Sequence, residues 1–597
     1  MQRRRARPRA SDQPDPRSAP AAPTHPARRW WQTGHPRTRA WPPPPGRRAE
    51  RLPKCARLFG SGTPAGGRRG RRATTPPVFR ASRSGTTSAN AGVSMNRHFI
   101  ACELGETAGR VVLGTLQRDQ LSLSEVRRFA NAPVRDKDAL LWDVARLYQE
   151  LLTGLSEAGA LEETVDSLST CGWPGDYALF EADGTLLPPV FHHADARTAQ
   201  GREQVLARWS AAELFAETGL GDTPRSTLYQ LAAENARRLK RADHLLPLPD
   251  GFNFLLSGVP CVEHSTAGAT QLYSPATGTW SRRLPLALWL PPKLLPPVIR
   301  AGTRIKALRP ELASVTKLEG AQVVATCAHD LAATLAGLPA EENEVWACLR
   351  LGATASLATE LTGPLVPPPD DAAALHRLSG CHGTVFAWTE APGTRLLEEC
   401  RAHWARADYA LDDSVLNYLA STAEPLESVI HLADERFATP GELVAKMQAW
   451  CRETGQPVPR KPGSVTRCLF ESLAFLYRRR LDQLAQATGR EFSRIYLVSD
   501  AANSLLHHFI ANALQRPVVV APSQSAVIGN LVVQMLALGR VKSMPEARAL
   551  VRRSFKTVTV HPHPAPIWSA AYDRLLELAG VRAPVPVTVP ETEPELV

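Results

Sequence analysis

The chain lacks any run of about 18 consecutive apolar residues, so it carries no sign of a membrane-spanning helix. No secretory apolar core segment is found either. Its ten cysteines are scattered, with no CxxC pair and no Cys/His cluster at metal-ligand spacing. That excludes a zinc-finger or dithiol reading and fits a reducing, cytoplasmic location. No short-period repeat is present, which excludes solenoids and propellers. Acidic residues are almost missing from one region. Residues 1–94 hold 21 Lys+Arg but only 3 Asp+Glu, a balance of +18, whereas the remainder holds 49 and 55, a balance of −6. The formal charge of +12 therefore belongs to a tail, and the body is mildly acidic.

That tail (1–94) is rich in Arg, Pro and Gly, lacks apolar periodicity and is expected to be disordered. Three readings of it stand. It is an Arg-rich arm able to bind nucleic acid non-specifically, a transit peptide (against which the prolines argue), or a segment upstream of a start at Met95. The body is 597 residues less this tail, long enough for more than one domain, and the whole chain is 44% apolar.

Local patterns in the body alternate between strand and helix. HFIAC and RVVLGTL flank a glycine-bearing turn and predict a hairpin over 98–118. The segment 140–155 has apolar residues at 144, 147, 148, 151, 152 and 155, one face of a helix. Residues 226–239 read as one helix, and 248–258 as a short helix closed by Gly258. The second half repeats the style, with a hairpin over EVWACLRLGATASLATE, two long helices and further strand–helix pairs. This predicts α/β layers in two related domains flanking a cleft. The Pro-rich segment after 565 reads as a loose tail.

Two stretches carry chemistry on their own terms. In VVATCAHDLAAT (323–334) an ionisable pair ends a buried strand and begins a helix. A carboxylate there is kept charged by the helix terminus and faces a cleft, but the blander reading is an ordinary helix cap. In ELGETAGR (103–110) a glycine-spaced turn brings backbone N–H groups within reach of an anion, and Arg110 adds charge; an ordinary hairpin is the alternative.

Taken in order, ELGETAGR, STLYQL (226–231), LPDGF (248–252), ATQL (269–272), AHD (328–330) and IGN (528–530) resemble the FGGY carbohydrate kinases, and within them the bacterial rhamnulokinases. The likeness runs from about Phe99 to about Pro564. It implies two actin-like (ribonuclease H-like) domains, a sugar-binding one over 97–338 and a nucleotide-binding one over 343–564, with tails at 1–94 and 565–597. It implies phosphorylation of a ketose, L-rhamnulose at its 1-hydroxyl foremost, by ATP with Mg²⁺, in rhamnose catabolism. A kinase-like sugar-binding or regulatory protein without phosphoryl transfer is the alternative. The expected ligand is a small sugar; nucleic acid enters only through the tail, no membrane is implied, and the oligomeric state is open.

The resemblance also assigns roles. Asp330 is the base. Trp173, Pro174, Asp176, His329, Leu331 and Glu390 contact sugar. Gly105, Glu106, Thr107, Ala108, Gly109, Arg110, Thr354, Glu398, Asp500 and Ala501 contact the nucleotide. Glu103 stands where an Asp linked to the metal is usual. Asp195 and Arg197 match a polar pair near the cleft. Cys451 and Cys468 fall where some rhamnulokinases carry a disulfide; two helix-packing thiols are the alternative in a reducing compartment. Departures gather on the nucleotide side. GATAS (352–356) moves the glycine of the second phosphate loop, SDAAN (499–503) has no glycine, and Glu390 and Glu398 replace neutral amides. A non-glycine residue forced into a glycine backbone shape costs roughly 1–2 kcal/mol. Two or three such losses would weaken ATP binding about 10²–10³-fold if the loop kept its shape.

Overall fold

Two mixed-topology sheets organise the body. The computed structural model describes residues 96–105, 107–162, 164–361, 375–406, 411–499, 504–563 and 566–581. All fall within the unit Cys55–Val597. The Arg-rich tail, Glu106, Asp500, Ala501 and the rest of SDAAN after Ser499 lie outside the described residues.

The first sheet comprises β1 (Arg97–Leu104), β2 (Ala108–Gln117), β3 (Gln120–Ala130), β4 (Ser167–Gly172), β5 (Thr303–Ala307) and β6 (Gln322–Ala325), in the spatial order β5-β6-β4-β1-β2-β3. β1 pairs antiparallel with β2, placing Glu103 opposite Arg110, and parallel with β4. The hairpin predicted over 98–118 is thus present, extended by β3. Helix α1 (Val144–Leu161) buries the predicted face, Val144, Leu147, Tyr148, Leu151, Leu152 and Leu155. It starts four residues later than the pattern because Ala139–Trp142 pairs as a strand and Asp143 caps the helix, accepting from Arg146 N at 3.0 Å. Helix α2 (Leu248–Ser257) ends, as read, at Gly258 in the left-handed region. The single helix expected over 226–239 is two, Thr227–Ala232 and Ala236–Arg241. Asn235 restarts it by accepting from Arg237 N at 2.9 Å, so the side chain competes with helical continuation. Helix α3 (Asp330–Ala336) follows β6.

The second sheet runs β9-β10-β8-β7-β11-β12-β13, with β7 (Trp346–Leu351), β8 (Thr354–Leu361), β9 (Leu375–Ser379), β10 (Val385–Pro392), β11 (Arg494–Ser499), β12 (Val518–Val520) and β13 (Val558–Val560). Helices α4 (Arg395–Ala405), α5 (Pro462–Thr488), α6 (Ser525–Ala537) and α7 (Pro566–Leu578) belong to this half. α7 corrects the expectation of a loose tail after 565. Trp568, Ala571, Tyr572, Leu575 and Leu576 form a buried helical stripe, and Trp568 packs against Phe475 and Phe509 at ring distances of 5.6 and 5.5 Å. The surrounding prolines hid that periodicity in the sequence. Cys451 and Cys468 are both buried free thiols.

The halves lock together through α6, which packs on β1 and against α3. A Cβ on Gly529 would lie 1.8 Å from Ala333 O, and one on Gly337 would lie 2.0 Å from Ser525 O, so α3 and α6 cross backbone to backbone. Gln534 on α6 donates to Ile100 O at 2.9 Å and accepts from Ser167 Oγ at 2.6 Å. The IGN segment is therefore a structural clamp holding the sheets on either side of a cleft.

Candidate active site in the interdomain cleft

Asp330 sits at the mouth of α3 because the chain before it is held on three sides. Gly172 N donates to Ala328 O at 2.9 Å. The Glu263 carboxylate accepts from Ala328 N at 3.0 Å, and Ser265 Oγ accepts from His329 N at 3.1 Å. His329, not Asp330, caps α3, its Nδ1 lying 3.1 Å from Leu331 N and 3.0 Å from Asp330 Oδ1. A neutral ring accepts from the amide; a protonated one donates to the carboxylate. His329 Nε2 is buried and meets no protein partner among the described residues. The Asp330 carboxylate divides its oxygens: Oδ1 accepts from Leu331 N at 2.7 Å at the helix start, and Oδ2 accepts from Arg350 Nη1 at 2.7 Å, across the cleft from β7. Burial disfavours the Asp330 charge, but the Arg350 guanidinium, with the His329 ring, overrides it and holds the carboxyl well below the usual carboxylate range.

Asp330 lines a cavity of about 570 Å³ built from both halves. Of the sequence-predicted residues, Glu103, Gly105, Thr107, Ala108, Arg110, Pro174, His329, Leu331, Thr354, Glu390 and Glu398 line it too. Glu103 is mostly buried and paired with Arg110, whose Nε donates to its Oε2 at 2.7 Å. Its carboxylate thus holds a phosphate-side arginine rather than standing open. The turn between β1 and β2 is closed by Gly105 N donating to Ala108 O at 3.0 Å. It is pinned by the buried Asn131, whose Nδ2 donates to Gly105 O at 2.5 Å and whose N donates to Thr107 O at 3.0 Å.

Five predicted residues lie away from the cavity wall. Gly109 is a packing glycine, opposite Phe129, and a Cβ there would fall 2.2 Å from that ring. Trp173 and Asp176 are fully buried behind the wall. Asp176 Oδ2 accepts from Trp142 Nε1 at 2.6 Å, Trp173 Nε1 at 2.8 Å and lies 3.0 Å from His193 Nδ1. With its lone pairs so engaged, Asp176 acts on the segment that follows Trp173, where Pro174 and Gly175 do reach the cavity. Gly175 has φ +96°, and a Cβ there would meet Arg225 O at 2.4 Å, so only glycine fits. Asp195 caps the helix Ala196–Leu206, and Arg197 pairs with Glu234 at 3.1 Å; neither lines the cavity.

Beyond Arg110, the arginines of the wall, Arg128, Arg225, Arg350 and Arg401, are what the sequence reading missed. Arg225 Nη2 donates to Thr354 Oγ1 at 3.4 Å, from one half to the other. Arg350, Ser356 and Glu390 stand in one cross-strand row on β7, β8 and β10, and all three line the cavity. The turn beside them is held down by Thr394, whose N and Oγ1 both donate to Gly352 O, at 2.9 and 3.0 Å. In total five arginines and five acids line the cavity, so Glu390 and Glu398 are balanced rather than added to an anionic wall. The guanidinium groups, the Thr107, Thr354 and Thr394 hydroxyls and the cavity size suit a polyphosphate. Among the described residues no cluster of three or more His, Cys, Asp or Glu could hold a metal. Mg²⁺ can bind through a single protein carboxylate with phosphate oxygens and water completing its shell, and Glu103 could serve such an ion only on release from Arg110.

The fold and a cleft of this kind define a class, and comparison with known proteins narrows it. Solved structures of gluconate kinase from Lactobacillus acidophilus (TM-score 0.68, 15% identity, 81% of this chain and 98% of that one) and of xylulose kinase from Rhodospirillum rubrum (0.67, 17%, 81% and 98%) share the fold. So does Plasmodium falciparum glycerol kinase with ADP (0.66, 12%, 82% and 99%). The N-terminal domain of the FGGY family of carbohydrate kinases matches residues 113–337 and its C-terminal domain matches 346–538. The rhamnulokinase of Bacteroides thetaiotaomicron is 31% identical over 80% of this chain and 98% of its own length, and that of Enterococcus faecalis is 29% identical over 78% and 95%. The chain belongs to the FGGY family of carbohydrate kinases. No helix among the described residues is long and apolar enough to cross a membrane.

Proposed function

We propose that this chain is an ATP-dependent carbohydrate kinase that phosphorylates a ketose, with L-rhamnulose at its 1-hydroxyl the first substrate to try, since the similar curated proteins are rhamnulokinases. The observation that carries the reading is a buried, ionised carboxylate, Asp330, at the wall of a cleft that also presents arginines and hydroxyls. In this reading 97–338 holds the sugar and 343–564 the nucleotide.

The chemistry follows from these groups. A sugar hydroxyl reaches Asp330, which takes its proton as the oxygen forms a bond to the γ-phosphorus; the bond from that phosphorus to the β–γ bridging oxygen breaks and ADP leaves. A carboxylate held below its usual range is fully ionised but weakly basic. It suits a reaction in which the proton moves late, after the nucleophile has begun to bond. His329 Nε2, without a protein partner among the described residues, serves as the hydrogen-bonding group for a sugar oxygen in this reading. Pro174, Leu331 and Glu390 shape the sugar side; Thr107, Ala108, Arg110, Thr354 and Glu398 serve the phosphates. When bound, Mg²⁺ supplies charge neutralisation of the phosphate oxygens.

A coupled ADP-release assay across L-rhamnulose, L-fuculose, D-xylulose and glycerol tests the reading. Sugar-dependent ADP release, greatest with L-rhamnulose, is expected. Sugar-induced thermal stabilisation with no ADP release from any of the four would instead establish a non-catalytic sugar-binding protein.

A further inference from the structure

The Arg350–Asp330 contact joins the two halves at the point where the base and the donor must meet. Arg350 is on β7, two residues before the 352–354 turn, and Asp330 opens α3 in the other half. The contact is short, 2.7 Å, yet the Arg350 side chain keeps 32% of its surface exposed while that of Asp330 keeps 12%. A guanidinium carries five N–H groups in a planar fork, a geometry that suits phosphate oxygens as well as a carboxylate. Arg350 lines the cavity, in the same row as Ser356 and Glu390.

A polyphosphate entering this cavity brings several negative charges close to Asp330. Two anions cannot share the space without a cation between them. Arg350 is the cation already in contact with one of them, and phosphate oxygens offer the geometry a guanidinium binds best. We propose that Arg350 is a positioning residue that exchanges partners: it holds Asp330 in the cleft before the phosphoryl donor binds, and turns some or all of its donors to the terminal phosphate once that group arrives. Loosening the pair then raises the proton affinity of Asp330 at the moment the sugar hydroxyl must lose its proton. The base is quiet without a donor and becomes competent with one. The ligand in this inference comes from the kinase reading above, but its test reads binding, not turnover.

The test is a double-mutant cycle by titration calorimetry on the full chain, with MgADP and with the non-hydrolysable Mg-AMP-PNP, using wild type, Asp330→Asn, Arg350→Met and the double variant. Arg350→Met is expected to weaken AMP-PNP about tenfold and ADP, which lacks the terminal phosphate, much less. Asp330→Asn frees Arg350 from its competing partner, and so should tighten AMP-PNP about threefold or more in the wild-type background but leave it unchanged beside Arg350→Met. Arg350→Lys, which keeps the charge without the fork, should fall between wild type and Arg350→Met and guards against a fold effect. Equal tightening by Asp330→Asn in both backgrounds would mean simple repulsion between carboxylate and phosphate, and would overturn the exchange. So would unchanged AMP-PNP affinity in Arg350→Met, or a wild-type chain that binds neither nucleotide. A chain that shows the predicted cycle but releases no ADP with any sugar upholds the exchange and sinks the kinase reading.

Discussion

Gly529→Ala is the sharpest test of how the site is held. The added Cβ would lie 1.8 Å from Ala333 O and 2.9 Å from Gly337 N, both backbone atoms that no rotamer change can remove. Ordinary contact begins at 3.4 Å, so α3 and α6 must part by about 1.6 Å. Overpacking of this kind costs about 1–3 kcal/mol, and a backbone clash sits at the upper end. Ala333 is three residues into α3 from Asp330, so the shift passes to the carboxylate. A misplacement near 1 Å can cost about 10²-fold in rate. Urea unfolding of wild type and variant, with kcat measured on the sugar found active, reads both effects. The variant should lose roughly 2–3 kcal/mol of stability and about 10²-fold in kcat. An unchanged unfolding midpoint with unchanged kcat would refute the backbone-to-backbone crossing and with it the claim that α6 positions the base.

Two other outcomes follow from buried groups. Burial raises Asp250 to about 8 and Glu263 to about 7, although both accept hydrogen bonds. At these two sites the folded chain binds more protons than the unfolded one between roughly pH 4 and 8, so their contribution to stability falls as pH rises through that window. Glu263→Gln should flatten this fall in thermal melts taken at pH 5 and 8; an undiminished slope would show that the group does not titrate there. Trp568→Ala removes the aromatic that seats α7 against Phe475 and Phe509. It should cost about 3–5 kcal/mol in chemical denaturation, and a loss below about 1 kcal/mol would mean that the C-terminal helix is not part of the core.

The legible parts of this fold were those with a period. The α1 stripe, the β1–β2 hairpin and the Gly258 stop each follow from local rules, and the structure holds them within a few residues. The split at Asn235 was not legible, because a capping side chain and a helix-interior one look alike in a string of letters. α7 was hidden by composition, its stripe lying between prolines. At the site, the placement of Asp330 between a strand end and a helix start could be read, since order along the chain fixes it. The partner Arg350 could not, because the contact spans 20 residues and two sheets. The same limit applies to Trp173 and Asp176. Their residue types fit a sugar wall, but whether a carboxylate faces a cavity or three N–H donors is settled only by packing. Gly109 was read as permissive for phosphate when the facing Phe129 ring accounts for it.

The central claim is that Asp330 removes the proton from a bound sugar. Asp330→Asn keeps the shape and a hydrogen-bonding end but cannot accept that proton. Measured with the active sugar at saturating MgATP, kcat should fall by about 10²–10⁴-fold while sugar affinity stays within about threefold of wild type. Turnover within tenfold of wild type at unchanged sugar affinity would contradict it, and another group would have to be the base.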